Sequence, residues 1–313
     1  MKSRFVYGPV PSRRLGRSLG IDLVPFKTCS YDCVYCQLGR TTNKTTDLRE
    51  YVPVDGLLDE VAEKLRSAPR PDFIGLAGSG EPTLHARMGD IVSGIKALTD
   101  IPVAVLTNGS LLWKPEVRAG LADADLVMPS LDAGTQLTFE RVNRPHPDVS
   151  FERMVDGLLT FARGYKGKIW LEVFVLGGIT DRPEELRRIA AIVDRIRPTR
   201  VQLNTVSRPP AEACALAAPR EVLESLVLLF SVPCEVIAER HSVPPAGPAE
   251  SGDIEGEIVA LLRRRPCTVE GIAAGLGLRP NEVLKHLEAL CARGSIRSER
   301  RGEDMFYEGA CNQ

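Results

Sequence analysis

From about residue 18 to residue 240, short apolar runs alternate with stretches of helical periodicity, and few folds accommodate that alternation. RSLGIDLVP, DFIGLAG, IPVAVLTNG, ADLVMPSLD, KIWLEVFVLGG and RVQLNTVSRPP read as strands. DGLLDEVAEKLRS, MGDIVSGIKAL, KPEVRAGLA, FERMVDGLLTFARG, PEELRRIAAIVDRI and PREVLESLVLLF read as the intervening helices. The first of these puts Leu57, Leu58, Val61 and Leu65 on one face. Apolar strands that each lead into a helix predict a parallel sheet with helices outside, as an open sheet or a partial barrel. Polar residues gather just past the strand C-termini: the cysteines of 29–36, Gly78–Pro82, Thr107–Gly109, Ser130–Asp132 and Asn204–Arg208. Barrels build their active sites from those ends. No GxGxxG follows the first strand, which argues against a dinucleotide fold.

The expected organisation is a barrel domain over 1–240, a Pro/Gly/Ser-rich linker over 241–252 and a compact module over 253–313. In the module, DIEGEIVALLRR, TVEGIAAGLGL and RPNEVLKHLEALCARG read as helices, with Pro280 near a start and Gly294 past an end. GSIRSERRGEDMFYEG reads as a hairpin. Three helices and a hairpin in that order look like a winged helix-turn-helix. Residues 251–313 carry nine Lys or Arg against ten Asp or Glu, which does not suit phosphate binding, so docking of protein or substrate is favoured over DNA reading.

The 313 residues are 43% hydrophobic, ample for a core, and the net charge of −1 gives no global attraction to nucleic acid or membrane. No run is long and apolar enough for a membrane span, and the N-terminus lacks the apolar stretch of a signal peptide, so a cytoplasmic location is expected.

Three of the eight cysteines fall within CSYDCVYC, as Cys29, Cys33 and Cys36. A short loop with this spacing can set three thiolates around one iron–sulfur cubane. A structural zinc site needs four ligands, and the nearest histidine in sequence is His85. A redox dithiol would need only Cys33 and Cys36. The spacing favours the cluster over both. Cys214, Cys234, Cys267, Cys291 and Cys311 show no tight spacing and read as ordinary thiols.

The motif and the strand-end loops resemble the radical S-adenosylmethionine (SAM) superfamily, and GPVPSRRLGRSLGIDLVPFKTCSYDCVYCQLG resembles a poorly characterised prokaryotic group within it. That group is distantly similar to wybutosine-synthesis enzymes that modify tRNA. The resemblance covers roughly residues 5–240. It implies an α/β fold, a partial (βα)6 TIM-type barrel, and an enzyme whose [4Fe–4S] cluster on Cys29, Cys33 and Cys36 cleaves S-adenosylmethionine reductively. The resulting adenosyl radical would abstract hydrogen from a substrate, with a ferredoxin or flavodoxin-like protein as electron donor. Gly78, Ser79, Gly80, Glu81 and Pro82 match the family's glycine–glycine–glutamate motif, with Ser79 as the variation. Tyr35 is expected near adenine, and Asn108, Ser130 and Asp132 near the carboxylate or ribose. Whether Glu172 points inward is left open.

Arg13, Arg14 and Arg17 precede the first strand, either as a solvated basic tail or as anion-binding groups. Arg13 and Arg14, with Asn143, Arg144 and Arg208, are the candidate substrate contacts. A nucleic acid, tRNA included, is the first substrate expected and a peptide or protein the second. An iron–sulfur transcriptional regulator is the competing non-enzyme reading.

Overall fold

The computed structural model describes residues 5–237, 254–264, 266–301 and 304–310. The linker expected over 241–252 and Cys311 lie outside the described residues. Eight strands form one sheet in strict chain order: β1 (Val6–Ser12), β2 (Gly16–Ile21), β3 (Phe73–Leu76), β4 (Val103–Thr107), β5 (Leu126–Pro129), β6 (Lys168–Phe174), β7 (Arg200–Asn204) and β8 (Cys234–Val236). β1 runs antiparallel to β2, and every other neighbouring pair is parallel. The helices α1 (Val54–Ser67), α2 (Met88–Leu98), α3 (Pro115–Gly120), α4 (Gln136–Asn143), α5 (Phe151–Gly164), α6 (Pro183–Ile196) and α7 (Arg220–Val227) fill the crossovers.

The period of two along each strand divides the apolar residues between two cores. Ile74, Leu76, Val103, Val105, Val127, Leu171, Val173, Val201 and Leu203 pack outward against Leu57, Val61, Ile91, Ile95, Leu158, Leu186, Ile189 and Val193 of the helices. Their alternates Phe73, Ala104, Leu106, Leu126, Met128 and Trp170 meet Leu15 in a separate inner cluster. The inner side is thereby apolar at the N-terminal ends of the strands. At the other end, Glu172, Gln202 and Asn204 replace apolar residues on the sheet, so polar chemistry is confined to the C-terminal rim.

Two elements differ from the sequence expectation. The proline-rich segment before the first expected strand is itself strand β1, paired along β2 with a register shift between Tyr7 and Val10. Prolines lack a donor, and an edge position demands none on the open side. Arg13 and Arg14 are therefore hairpin-turn residues and Arg17 lies in β2. The second is α4, a stretch to which the sequence assigns no element. Thr135 caps it by accepting from the Thr138 N–H at 3.2 Å, Phe139 and Val142 are buried three apart, and Arg144 ends it at φ 45°.

Past the linker, α8 (Ile254–Arg264), α9 (Val269–Leu276) and α10 (Pro280–Ala292) are followed by the antiparallel pair β9 (Ile296–Arg301) and β10 (Asp304–Gly309). Ile258, Leu261, Ile272, Val283, Leu287 and Ile296 form their core, and Val10 of β1 completes it. Among the described residues no helix is long and apolar enough to cross a membrane.

Leu171 is fully buried between sheet and helices. Leu171→Ala should cost about 2–5 kcal/mol, read as a lower urea midpoint at unchanged m-value.

Candidate active site

The cysteine loop follows β2 and has almost no regular structure, so backbone bonds to other segments fix its path. The Asp32 and Val34 N–H groups donate to the Asn143 and Val142 carbonyls at 3.1 and 2.9 Å, and the His146 N–H donates to Ser30 O at 2.8 Å. These bonds tie the loop to the end of α4. On the opposite side, the Lys27 N–H donates to Ser79 O at 2.7 Å and the Glu81 N–H to Thr28 O at 3.0 Å. Strand ends β3 and β5 thus hold the loop through the segments that follow them.

The Gly78–Pro82 segment owes its path to its glycines. Gly78 has φ +113°, and a Cβ there would stand 1.8 Å from Asp22 Oδ1. At Gly80 a Cβ would stand 1.9 Å from the Thr28 carbonyl oxygen. Ser79 donates its N–H and hydroxyl to Asp22 Oδ1 at 2.8 and 3.0 Å. The Glu81 carboxylate is buried and faces β4, accepting from Thr107 Oγ1 at 2.6 Å, the Asn108 N–H at 2.7 Å and the Thr83 N–H at 3.0 Å. Burial raises its pKa, and these hydrogen bonds oppose the rise. Pro82 is buried at the start of a short 3-10 turn.

Each cysteine sulfur has a nitrogen donor from a different part of the chain. Asn108 Nδ2 lies 3.5 Å from Cys29 Sγ and 2.9 Å from Ser30 Oγ. Asn143 Nδ2 lies 3.6 Å from Cys33 Sγ, and Lys27 Nζ lies 3.5 Å from Cys36 Sγ. Asn143 and Asn108, expected at the substrate and the cofactor respectively, both face cysteine sulfurs. Lys27 had no sequence signal, since an exposed lysine is the default.

Asp132 accepts from the Tyr35 hydroxyl, from Asn143 Nδ2 at 2.8 Å and from the Phe174 N–H at 3.0 Å. Burial pushes its carboxyl up to about 6, tempered by those three donors. Tyr35 stacks on Phe174 with ring centroids 4.0 Å apart. Ser130 donates its N–H to Thr107 O and bridges to Glu172 in the sheet.

Glu172 points inward, into an ion pair with Arg14 at 2.5 Å and a hydrogen bond from Asn204 Nδ2 at 2.8 Å. Burial alone would raise its carboxyl, but Arg14, Asn204 and Arg13 together hold it below the usual range. Arg13 donates to Ser207 Oγ at 2.9 Å. Arg144 pairs with Glu212 at 2.8 Å and Arg208 donates to Gln37 Oε1 at 2.8 Å. Of the arginines expected at the substrate, Arg14 and Arg144 therefore engage internal carboxylates, while Arg13 and Arg208 contact polar groups at the rim.

The residues fit a [4Fe–4S] cluster. The three thiols are close enough to act on one another electrostatically: Cys33 feels Cys29 and Cys36, and Cys29 feels Cys36. Burial first, and Glu81 second, push the Cys29 thiol up to about 12. Among the described residues no three His, Cys, Asp or Glu side chains converge on a single metal ion. A cubane asks for something else, one thiolate at each of three separate irons. Asn143 Oδ1, beside Cys33 and Tyr35, is a buried acceptor with no protein partner, as a site completed by a bound group would leave it.

The model of the radical SAM superfamily matches residues 23–190. The chain is 43% identical over 300 residues to a protein named GTPase Obg of Brachyspira hyodysenteriae, covering 96% of this chain and 44% of that one. It thus spans less than half the length of that relative. A UPF0026 protein of Methanocaldococcus jannaschii is 34% identical over 274 residues, covering 85% of this chain and 84% of its own. A UPF0026 protein of Helicobacter pylori strain J99 is 34% identical over 305 residues, covering 96% of each. Among solved structures, SuiB of Streptococcus suis bound to its precursor peptide SuiA superimposes with a TM-score of 0.53 at 13% identity, over 69% of this chain and 48% of that one. A radical SAM methyltransferase of Sphaerobacter thermophilus gives 0.52 at 14% identity, over 70% and 65%. Those two likenesses concern the fold.

Two outcomes follow from this geometry. Gly80→Ala should lower the iron and sulfide bound after anaerobic reconstitution, since its Cβ meets backbone rather than a movable side chain; Gly56→Ala, with nothing within 4 Å, should load normally. Glu172, whose pKa is depressed by folding, contributes stability above the unfolded value near 4.5 that is lost as pH falls through the lower folded value. Urea midpoints should therefore drop through that acid window in the wild type and drop less in Glu172→Gln.

Proposed function

The chain belongs to the radical SAM superfamily and to the UPF0026 proteins, and from that premise we propose an enzyme acting on an anionic polymer, a nucleic acid before a peptide. Enzymes of this superfamily use a [4Fe–4S] cluster and S-adenosylmethionine, which supply a 5′-deoxyadenosyl radical able to take a hydrogen atom from carbon. Cys29, Cys33 and Cys36 would hold the cluster, and the Gly78–Pro82 backbone would receive the cosubstrate's amino group. Tyr35 and Phe174 stack on one another and would wall the cosubstrate site. Asp132 works through Tyr35 and Asn143, whose donors already occupy it. The partial barrel would keep this chemistry dry. The reductant is read as a small ferredoxin or flavodoxin-like protein.

The observation that carries the substrate reading is a groove of about 470 Å³ at the C-terminal ends of β7 and β8. Arg13, Arg208 and Arg220 line it together with Pro209 and Phe306, and Asp304 is the acidic residue among them. Guanidinium groups beside an aromatic ring suit phosphates and bases together. Phe306 and Asp304 come from β10, so the C-terminal module, read as a winged helix, forms one wall. Three of the module's own cations are already paired. Arg264 pairs with Asp22, Arg293 with Glu255 and Arg297 with Glu308. A substrate-docking role for the module follows, rather than the reading of a DNA sequence.

Fluorescence anisotropy with unmodified tRNA should show binding that weakens steeply with salt. Arg208→Ala with Arg220→Ala should weaken it about tenfold or more, since charged contacts of this kind contribute about 1.5–3 kcal/mol each. Anaerobic turnover with that RNA, deuterated at carbon, should move deuterium into 5′-deoxyadenosine. Binding of an acidic peptide but not RNA would replace the nucleic-acid reading with the peptide one.

A further inference from the structure

We propose that Lys27 is a positioning residue for the electron-transfer step, its ammonium group raising the reduction potential of the cluster through Cys36. The inference rests on the reading that Cys29, Cys33 and Cys36 hold that cluster. The step itself is a one-electron reduction by an external protein carrier, with no bond made or broken. It leaves the cluster and its thiolates one elementary charge more negative.

The three sulfur donors are not equivalent. Cys29 and Cys33 face the neutral amides of Asn108 and Asn143, whereas Cys36 faces a cation at 3.5 Å. Buried carboxylates lie on the amide side: Glu81 acts on Cys29 and Asp132 on Cys33. The positive charge on Lys27 also reaches Cys29. An added electron is thus opposed from one side of the thiol triad and favoured from the other. Hydrogen bonds to the sulfurs and local charge are the protein's levers on such a potential.

Lys27 is placed as a group kept for its charge. It is 3% exposed, yet among the described residues no carboxylate forms an ion pair with it. Its amine donates to the Gly39 carbonyl and to Cys36 Sγ. Burying an ammonium on a carbonyl and a thiol leaves its charge uncompensated, whereas a bound cluster with its thiolates is a net anion and would compensate it. The backbone agrees. Lys27 sits at φ 64°, a left-handed conformation that glycine or asparagine takes more readily. A residue held there against its preference marks a constraint set by function.

A purely structural role, tethering Gly39 to shape the loop, would leave the potential unmoved once a cluster is bound. Wild type, Lys27→Met, Lys27→Arg and Lys27→Gly would be reconstituted anaerobically, assayed for iron and sulfide, and titrated spectroelectrochemically with the reduced cluster read by electron paramagnetic resonance. We expect about four irons per chain in each. At a given applied potential the reduced-to-oxidised ratio in Lys27→Met should be at least tenfold below wild type, a downshift of about 59 mV for a one-electron couple. Lys27→Gly, which also relieves the left-handed strain, should shift the same way, and Lys27→Arg should stay within about threefold of wild type. Lys27→Met and Lys27→Gly titrating with the wild type would overturn the proposal. So would assembly of a cluster in Lys27→Arg but in neither uncharged variant, because the charge would then serve assembly rather than potential. Wild-type protein that takes up no cluster would instead refute the cysteine reading on which the proposal rests.

Discussion

A loop bearing three thiols, whose own ladder is only Thr28 and Cys29 beside Asn43 and Lys44, cannot hold them at fixed separations by itself. Here its position is imposed from two sides. The C-terminal end of α4 supplies carbonyls to Asp32 and Val34, and the Gly78–Pro82 segment exchanges backbone bonds with Lys27 and Thr28. Both neighbours are anchored to the sheet, one through Asp132 to β6 and the other through Glu81 to β4. The parallel sheet is therefore the rigid body, and its rim transmits that rigidity to the cysteines. Removing a backbone contact in either clamp loosens a loop that has little else to define it.

Rigidity at the rim requires burying charge, and its three carboxylates are satisfied in two ways. Glu81 relies on neutral donors, which lower the cost of burial without cancelling the charge. Asp132 does the same with one phenol, one amide and one backbone N–H. Glu172 alone of the three gains a cation, because the β1–β2 turn brings Arg14 across to it. That pair explains why an arginine near a rim, read from sequence as a free anion site, ends in an internal bridge. A carboxylate on an inward strand position attracts the nearest guanidinium before any substrate arrives.

The sheet and its helices were legible because their periodicities are local. Val103–Thr107 or Leu126–Pro129 can be read without knowing what lies beside them. The cysteine loop and the Gly78–Pro82 turn were legible for a different reason, the spacing of chemically unusual residues. β1 was not, since Gly8, Pro9 and Pro11 read as loop residues and only the edge of a sheet tolerates them. α4 escaped because Leu137 is 77% exposed, leaving only Phe139 and Val142 as its apolar signal. Of the donors to the sulfurs, Asn108 and Asn143 were legible as site residues and Lys27 was not. Asn143 meets Cys33 only after the fold has brought separate crossovers together, and Lys27, nine residues before Cys36 in the same loop, carries no periodic signal.

The C-terminal module meets this rim at the Asp22 carboxylate. Asp22 Oδ1 accepts from both donors of Ser79, while Oδ2 pairs with Arg264 of α8 at 3.0 Å. Arg264 also lies over the Tyr7 ring at 4.2 Å, and Val10 from the same strand enters the module's core. The edge strand is thus common to both bodies, covering the open side of β2 while completing a helical core that would otherwise expose apolar surface. Groups that share one acceptor are energetically coupled. Displacing Arg264 would leave Asp22 with Ser79 alone, so the geometry of the Gly78–Pro82 turn depends on a domain more than two hundred residues away in the chain. Through Asp22 the module thus shares an acceptor with the Gly78–Pro82 turn.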